Sequence, residues 1–274
     1  MDHASPLYLF RPVTSLIASL SVLIGSIIGV GTDVMPHLTE MALAVAAAFL
    51  FSAGGFALND YLDRDIDQIN HPRRPLPAGT ITPRNALRAS AILLAASLIV
   101  AVAINLQAVI IIAAATAVAV SYETSLKYKS IWGNLSISTL AALTFLFGGA
   151  AVDRLLSPFF ASIVAFLFIL GREIIMDIED IKGDTTRDTL PRRIGTKNAK
   201  GIAFVLILSA MAISILPYAP LGLFGLYYLL LVLVADAIFV YALFLVNRRI
   251  ERVRDVTKAG IFVALLAFIL GAVA

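Results

Sequence analysis

Long apolar stretches alternate with short polar ones along the whole chain, and each apolar stretch is close to the length needed to cross a bilayer. Read in order they predict nine spans, at 13–31, 40–60, 86–104, 107–122, 134–152, 156–175, 201–218, 221–246 and 258–274. About 20 apolar residues cross roughly 30 Å of hydrocarbon as a helix, and in lipid a helix satisfies its own backbone polar groups. The expected fold class is therefore all-α: a polytopic membrane protein of about nine helices, with 1–274 forming one integral-membrane domain. Only Asn105-Leu106-Gln107 separates the third run from the fourth, which predicts a tight turn between antiparallel neighbours.

Composition agrees with the pattern. Hydrophobic residues make up 60% of the 274 positions and charged residues 14%, where a soluble domain carries about a quarter charged. Mean hydropathy is +0.93. The absence of cysteine excludes a disulfide framework and thiolate metal sites. Met1 to Arg11 has no basic n-region and no clean small-residue cleavage site follows it, so a cleaved signal or targeting peptide is not expected. With nine spans, 20 of the 21 Lys and Arg fall in the N-terminal segment or in the loops after even-numbered spans, leaving only Arg154 on the other side. The positive-inside rule then places the N-terminus and those loops in the cytoplasm, in a multi-pass protein of the cell membrane. The net charge of +3 is explained by that asymmetry and needs no nucleic-acid partner.

The chemistry is concentrated where two spans end. The second ends in Asn59-Asp60-Tyr61-Leu62-Asp63-Arg64-Asp65-Ile66-Asp67, in which Asn59, Asp63 and Asp67 are spaced i, i+4, i+8 and share one helical face. The sixth ends in Arg172-Glu173-Ile174-Ile175-Met176-Asp177-Ile178-Glu179-Asp180 and runs on to Asp184; Glu173, Asp177, Asp180 and Asp184 form one stripe. Including Asp188, these stretches hold ten of the 18 acidic residues. Each is followed by a Pro-containing basic loop, His71-Pro72-Arg73-Arg74-Pro75-Leu76-Pro77-Ala78-Gly79 and Thr189-Leu190-Pro191-Arg192-Arg193. The repetition predicts two pseudo-repeated four-helix halves around a central cavity capped on the cytoplasmic side. One acidic helix end can be merely solvated; two equivalent ends form an oxygen-rich site suited to Mg²⁺ completed by phosphate oxygens. Arg11, where the first span leaves the cytoplasm, is either an interfacial anchor or a phosphate contact. Asp236 is an intramembrane carboxylate in the eighth span, open equally to a functional and a packing role.

These motifs resemble those of the UbiA-type superfamily of membrane prenyltransferases. The resemblance rests on Asn59-Asp60-x-x-Asp63-x-x-x-Asp67, Asp177-Ile178-Glu179-Asp180-x-x-x-Asp184, the Arg73–Gly79 loop, Tyr122 with Lys127, and the nine-span layout. It covers essentially the whole chain. It implies a helical bundle in which two Mg²⁺ ions hold the diphosphate of an allylic prenyl donor, with the prenyl chain in an apolar tunnel. Carried over, it assigns metal binding to Asn59, Asp63, Asp67, Asp180 and Asp184, with Asp60 and Asp177 supporting. It assigns diphosphate contacts to Arg11, Arg73, Arg74, Lys127 and Tyr122, and catalytic roles to Asp60, Asp63, Asp177, Asp180 and Lys127. Glu173 and Glu179 are candidates for a supporting position or for a base. Within the superfamily the Gly171–Gly195 stretch looks most like the archaeal geranylgeranylglyceryl-phosphate geranylgeranyltransferases of ether-lipid synthesis, so the expected acceptor is a lipid-like phosphate. An aromatic or quinone-precursor acceptor is the alternative, and a divalent-cation transporter a distant one. The Asp-Gly-x-x-Ala-Arg pattern of CDP-alcohol phosphotransferases does not occur.

Overall fold

The computed structural model describes residues 5–181 and 188–274. Among the described residues nine helices are long and apolar enough to cross a membrane. They are α1 (Pro12–Val30), α2 (Leu38–Leu62), α4 (Pro83–Val102), α5 (Leu106–Thr124), α6 (Ser130–Ala151), α7 (Leu156–Asp180), α9 (Thr196–Ser214), α10 (Leu226–Leu245) and α11 (Val253–Val273). Two short helices are α3 (Arg64–Asn70), which carries Asp65 and Asp67, and α8 (Leu190–Ile194), after the second acidic stretch. The second and sixth spans run further than their apolar cores, to Leu62 and Asp180, so Asn59 and Asp60 sit in the last turns of α2, and Glu173, Asp177, Glu179 and Asp180 in the last turns of α7. Helix starts follow their side chains: the Thr82 hydroxyl accepts from the Asn85 amide ahead of Pro83, and Asn105 caps α5 by accepting from the Ala108 amide at 2.8 Å. The turn between the third and fourth spans is therefore tighter than Asn105–Gln107, because Leu106 is already helical.

Neighbours in sequence pack as neighbours in space. Helix α2 lies against α4, α5 against α6, α6 against α7, α7 against α9, and α10 against α11. Helix α1 joins the two ends by packing on both α2 and α11, and it also lies along α6. The bundle is thus two rings with a common α1–α6 wall. One ring is completed by α2, α4 and α5, the other by α7, α9, α10 and α11.

That wall depends on the absence of side chains. A Cβ on Gly148 would stand 2.6 Å from the Ser26 nitrogen, and one on Gly25 would stand 2.6 Å from the Phe145 carbonyl oxygen. The Ser26 hydroxyl donates to the Gly148 carbonyl at 2.9 Å, so the close approach also carries an interhelical hydrogen bond. Small residues of this kind let helix backbones touch where lipid supplies no hydrophobic driving force.

Each ring encloses apolar space. In the first ring a cavity of about 230 Å³ is lined by Val22, Ala48, Phe51, Ile112, Ala115 and Phe147 among others. A second, of about 200 Å³, shares Phe51, Ser52 and Leu140 with it and reaches Tyr122 and Glu123. The other ring holds a chamber of about 330 Å³ between α1, α6, α7, α10 and α11. Ala18, Ala141 and Thr144 border both this chamber and the 230 Å³ cavity.

Gly148→Ala is expected to destabilise the purified protein by about 1–3 kcal/mol through overpacking of the wall. Gly201→Ala, on α9 with no atom within 4 Å of the added Cβ, is expected to gain about 0.5–1 kcal/mol from helix propensity. Thermal unfolding of the two variants in detergent checks this; equal midpoints would remove the wall from the stability argument.

Candidate active site

The end of α2 gathers four acids and three cations into a connected group. Helix α2 breaks at Asp63 (φ −90°, ψ 5°), yet the backbone bonds from Asp63 to Asn59 and from Asp67 to Asp63 continue through the break at 2.9 and 2.8 Å. The i, i+4, i+8 face expected from the sequence therefore survives with a bend at its middle residue. Asn59 Nδ2 donates to Asp63 Oδ2 at 2.9 Å and to Glu123 Oε2 at 2.8 Å. Lys127 Nζ lies 2.5 Å from Asp63 Oδ1 and 3.2 Å from Glu123 Oε2. Burial works against the Lys127 charge, but Asp63 and Glu123 outweigh it and hold its pKa above the ordinary lysine value. It is a fixed cation at neutral pH.

Beside this quartet stands a second one. Arg11 Nη2 lies 2.6 Å from Asp60 Oδ1 and donates to Asn59 Oδ1 at 3.3 Å, which links the two groups. Arg74 Nη1 lies 2.6 Å from Asp67 Oδ2 and 3.5 Å from Asp60 Oδ1. Asp60 is 1% exposed, and its Oδ2 is buried without a hydrogen-bond partner. Local structure aims both guanidiniums. Arg11 occupies the left-handed region (φ 40°) between a short 3-10 helix, Pro6–Phe10, and α1. Such a conformation is rare for a residue with a side chain. The Arg74–Thr80 turn closes through Ala78 N to Arg74 O and Thr80 N to Pro75 O, with Gly79 at φ 72°. Leu9, Ala57 and Ala86, with Leu76 and Ile81 against them, pin both segments to α2 and α4.

The end of α7 is built differently. Asn134 Nδ2 on α6 donates to Asp177 Oδ2 at 2.7 Å. Arg172 Nη1 lies 2.7 Å from Glu173 Oε1, and Arg254 Nη2 reaches from α11 to within 3.6 Å of Glu179 and 3.9 Å of Asp180, whose side chain is 60% exposed. An isolated backbone bridge between Lys129 and Asp188 brings the loop after α5 to the segment ahead of α8. Arg193 Nε donates to Asp188 at 2.8 Å, and that hydrogen bond holds the carboxyl below the usual range.

Of the residues singled out in the sequence, the fold brings Arg11, Asn59, Asp60, Asp63, Asp67, Arg74 and Lys127 into one network. Arg73 is exposed and stands outside its pairs, because the turn that buries Pro75 directs only Arg74 inward. Tyr122 lines the 200 Å³ cavity next to Glu123. Asp184 lies outside the described residues. Asp236 is buried on α10, away from both acidic ends, and lines a space of about 20 Å³ with Phe239 and Ser214. Sequence reasoning passed over Glu123 and Asn134. Glu123 had a legible signal, its i, i+4 spacing from Lys127; Asn134, an amide at the start of an apolar span, had none.

The donor set is suited to a hard divalent cation: an amide oxygen and carboxylates, with an orphaned buried oxygen on Asp60. Among the described residues no three acidic or histidine side chains converge tightly enough to hold an ion by themselves. The residues present fit Mg²⁺ as partial ligands that leave positions for other oxygens.

The profile of the UbiA prenyltransferase family matches residues 18–271. A digeranylgeranylglyceryl phosphate synthase of Methanosphaera stadtmanae is 35% identical over 271 residues, covering 96% of this chain and 97% of the relative. A solved structure of a digeranylgeranylglyceryl phosphate synthase superposes with a TM-score of 0.90 at 34% identity, covering 97% of each chain. A UbiA homolog from Archaeoglobus fulgidus, solved bound to GPP and Mg²⁺, shares the fold at a TM-score of 0.72 and 20% identity, covering 96% of this chain and 98% of its own. An all-α bundle of membrane-length helices with acids and cations gathered at one end, matched in sequence along nearly its whole length, belongs to the UbiA prenyltransferase family and is a membrane prenyltransferase.

Proposed function

We propose that this protein transfers a geranylgeranyl group from its diphosphate to the glycerol hydroxyl of geranylgeranylglyceryl phosphate, with Mg²⁺, as one domain in the cell membrane. The observation that carries the reading is the position of the Asn59–Asp63–Glu123–Lys127 group at the mouth of an apolar cavity, where Glu123 belongs to both. A molecule with a diphosphate head and a hydrocarbon tail matches that junction. The likeness to digeranylgeranylglyceryl phosphate synthases over almost the whole chain supports the acceptor. The charge asymmetry supports a cytoplasmic position for the acidic end.

In the reaction the allylic C–O bond of the donor breaks and its electron pair leaves with the diphosphate. The acceptor oxygen forms the new C–O bond, and its proton passes to a carboxylate at the site, for which Glu173 is the candidate. Bound Mg²⁺ supplies neutralisation of the charge that gathers on the departing diphosphate. Asn59, Asp63, Asp67, Asp180 and Asp184 would hold it, supported by Asp60 and Asp177. Arg11, Arg74 and Lys127 are each engaged by carboxylates, and a diphosphate with its cations offers both sets new partners of opposite sign. The acids would hold the cations, and the guanidiniums and ammonium would hold phosphate oxygens. Arg73 stands outside this exchange. The apolar cavity beyond keeps water from the reacting carbon.

Asp63→Ala and Asp180→Ala are each expected to lower product formation from labelled geranylgeranyl diphosphate by about 10²–10³-fold, and Arg73→Ala by less than about threefold. Membranes carrying either aspartate variant at wild-type rate would remove the metal-site reading. Chelation is expected to abolish turnover and added Mg²⁺ to restore it. In an acceptor panel, product is expected from geranylgeranylglyceryl phosphate and not from hydroxybenzoate or dihydroxynaphthoate; the reverse pattern assigns an aromatic acceptor.

A further inference from the structure

The chamber of the second ring is untouched by the donor in this reading. Its wall is almost wholly apolar and includes Phe145, Phe168, Phe239, Phe268 and Ala264. Ile169 of α7 and Ile261 of α11 also line it. One turn beyond Ile169 toward the acidic end comes Arg172, and one turn beyond Ile261 in the same direction comes Thr257, displacements of roughly 4.5 and 6 Å along the two helices. These residues meet: Arg172 Nε donates to Thr257 Oγ1 at 3.3 Å. Thr257 is 1% exposed and anchored by donating to the Val253 carbonyl, so it holds the guanidinium in place, while Arg172 keeps 17% of its side chain open. A cation therefore stands about one helical turn beyond the chamber's lining, on its acidic-end side. The ligand that matches has a single anionic head and an apolar tail.

We infer that this chamber seats the hydrocarbon chain of the acceptor and that Arg172 binds the acceptor's phosphate, with Thr257 as its positioning residue. The inference rests on the proposed function, in which donor and acceptor each bring an isoprenoid chain to one site. Two such chains need separate apolar space at the same time, and the two rings supply it. The first-ring cavities run from Glu123 and so follow from the donor's diphosphate. The second-ring chamber lies under Arg172 instead. Glu173, the present partner of Arg172, yields to the phosphate and is left beside the acceptor head. The two spaces adjoin at Ala18, Ala141 and Thr144, small side chains that let both chains lie against the same wall.

The test measures KM for each substrate separately, together with binding of labelled geranylgeranylglyceryl phosphate to the purified protein without donor. Ala264→Phe, which fills the second chamber, is expected to raise the acceptor KM by about tenfold or more and leave the donor KM within about twofold. Ala115→Phe, in the first ring, is expected to do the converse. Arg172→Gln is expected to weaken acceptor binding by about 10–100-fold with the donor KM unchanged, and Arg172→Lys to restore part of it. An unchanged donor KM reports an intact fold; if Ala264→Phe does not accumulate, Ala165→Phe fills the same chamber. Wild-type acceptor KM and binding in both Ala264→Phe and Arg172→Gln would overturn the inference, as would a rise confined to the donor KM. If the wild-type protein neither binds nor prenylates the glycerophosphate but does prenylate an aromatic acceptor, the proposed function has failed. Success of the wild type with null variants sinks the chamber assignment alone.

Discussion

The close passage of α1 along α6 is the constraint on which the remaining architecture depends. Lipid does not drive helices together, so a wall in the middle of the bundle has to be held by backbone contact and interhelical hydrogen bonds. Gly25, Gly148 and the Ser26 hydroxyl supply both. Because the wall is thin, it leaves room on each side, and each ring encloses its own apolar space instead of one packed core. A bulkier pair of helices at this place would fill the space or merge the rings. The small residues of α1 and α6 are what let the two helices touch between the two apolar spaces.

The acidic end solves a second problem. Asp60 is almost fully buried, and a lone carboxylate there would cost several kcal/mol. It is neutralised by Arg11 and Arg74, just as Asp63 is by Lys127 and Asp67 by Arg74. The partners come from the segment before α1, the loop after α3 and the turn after α5, so the charged network also fastens three separate parts of the chain to the end of α2 and the start of α3. A site filled with matched charges stays folded alone and can still exchange partners with a substrate that presents both signs. Replacing those pairs by apolar residues of similar size would keep the fold and lose that exchange.

Much of this was legible in the sequence. Nine spans, their order, and the concentration of acids at the ends of the second and sixth followed from hydropathy and from carboxylate spacing, because bilayer thickness and helix periodicity act locally along the chain. The pairing was not legible. That Arg74 turns inward while Arg73 stays exposed depends on how Leu76 and Ile81 pack against Leu9, Ala57 and Ala86. Glu123 was readable as a partner of Lys127, but its bond to Asn59 crosses 64 residues of chain. The two-ring arrangement follows from which helices touch, and the glycines that permit it look in the sequence like the small residues of any membrane helix.

The acceptor question turns on this difference between local and distant information. The acidic motifs are shared by prenyltransferases that act on unlike acceptors, so they report on the diphosphate and not on what attacks the carbon. Residues that select an acceptor have to lie where the acceptor alone makes contact. In the proposed reading the second-ring chamber and the Arg172–Thr257 pair would meet that condition, since neither includes a residue of the network that Arg11, Arg74 and Lys127 form with Asp60, Asp63 and Asp67. An aromatic acid carries a charge but no long tail, and it would leave most of a 330 Å³ apolar chamber without a function. A glycerophosphate bearing an isoprenoid chain would occupy the chamber and reach the arginine at once, which is the physical ground for proposing it.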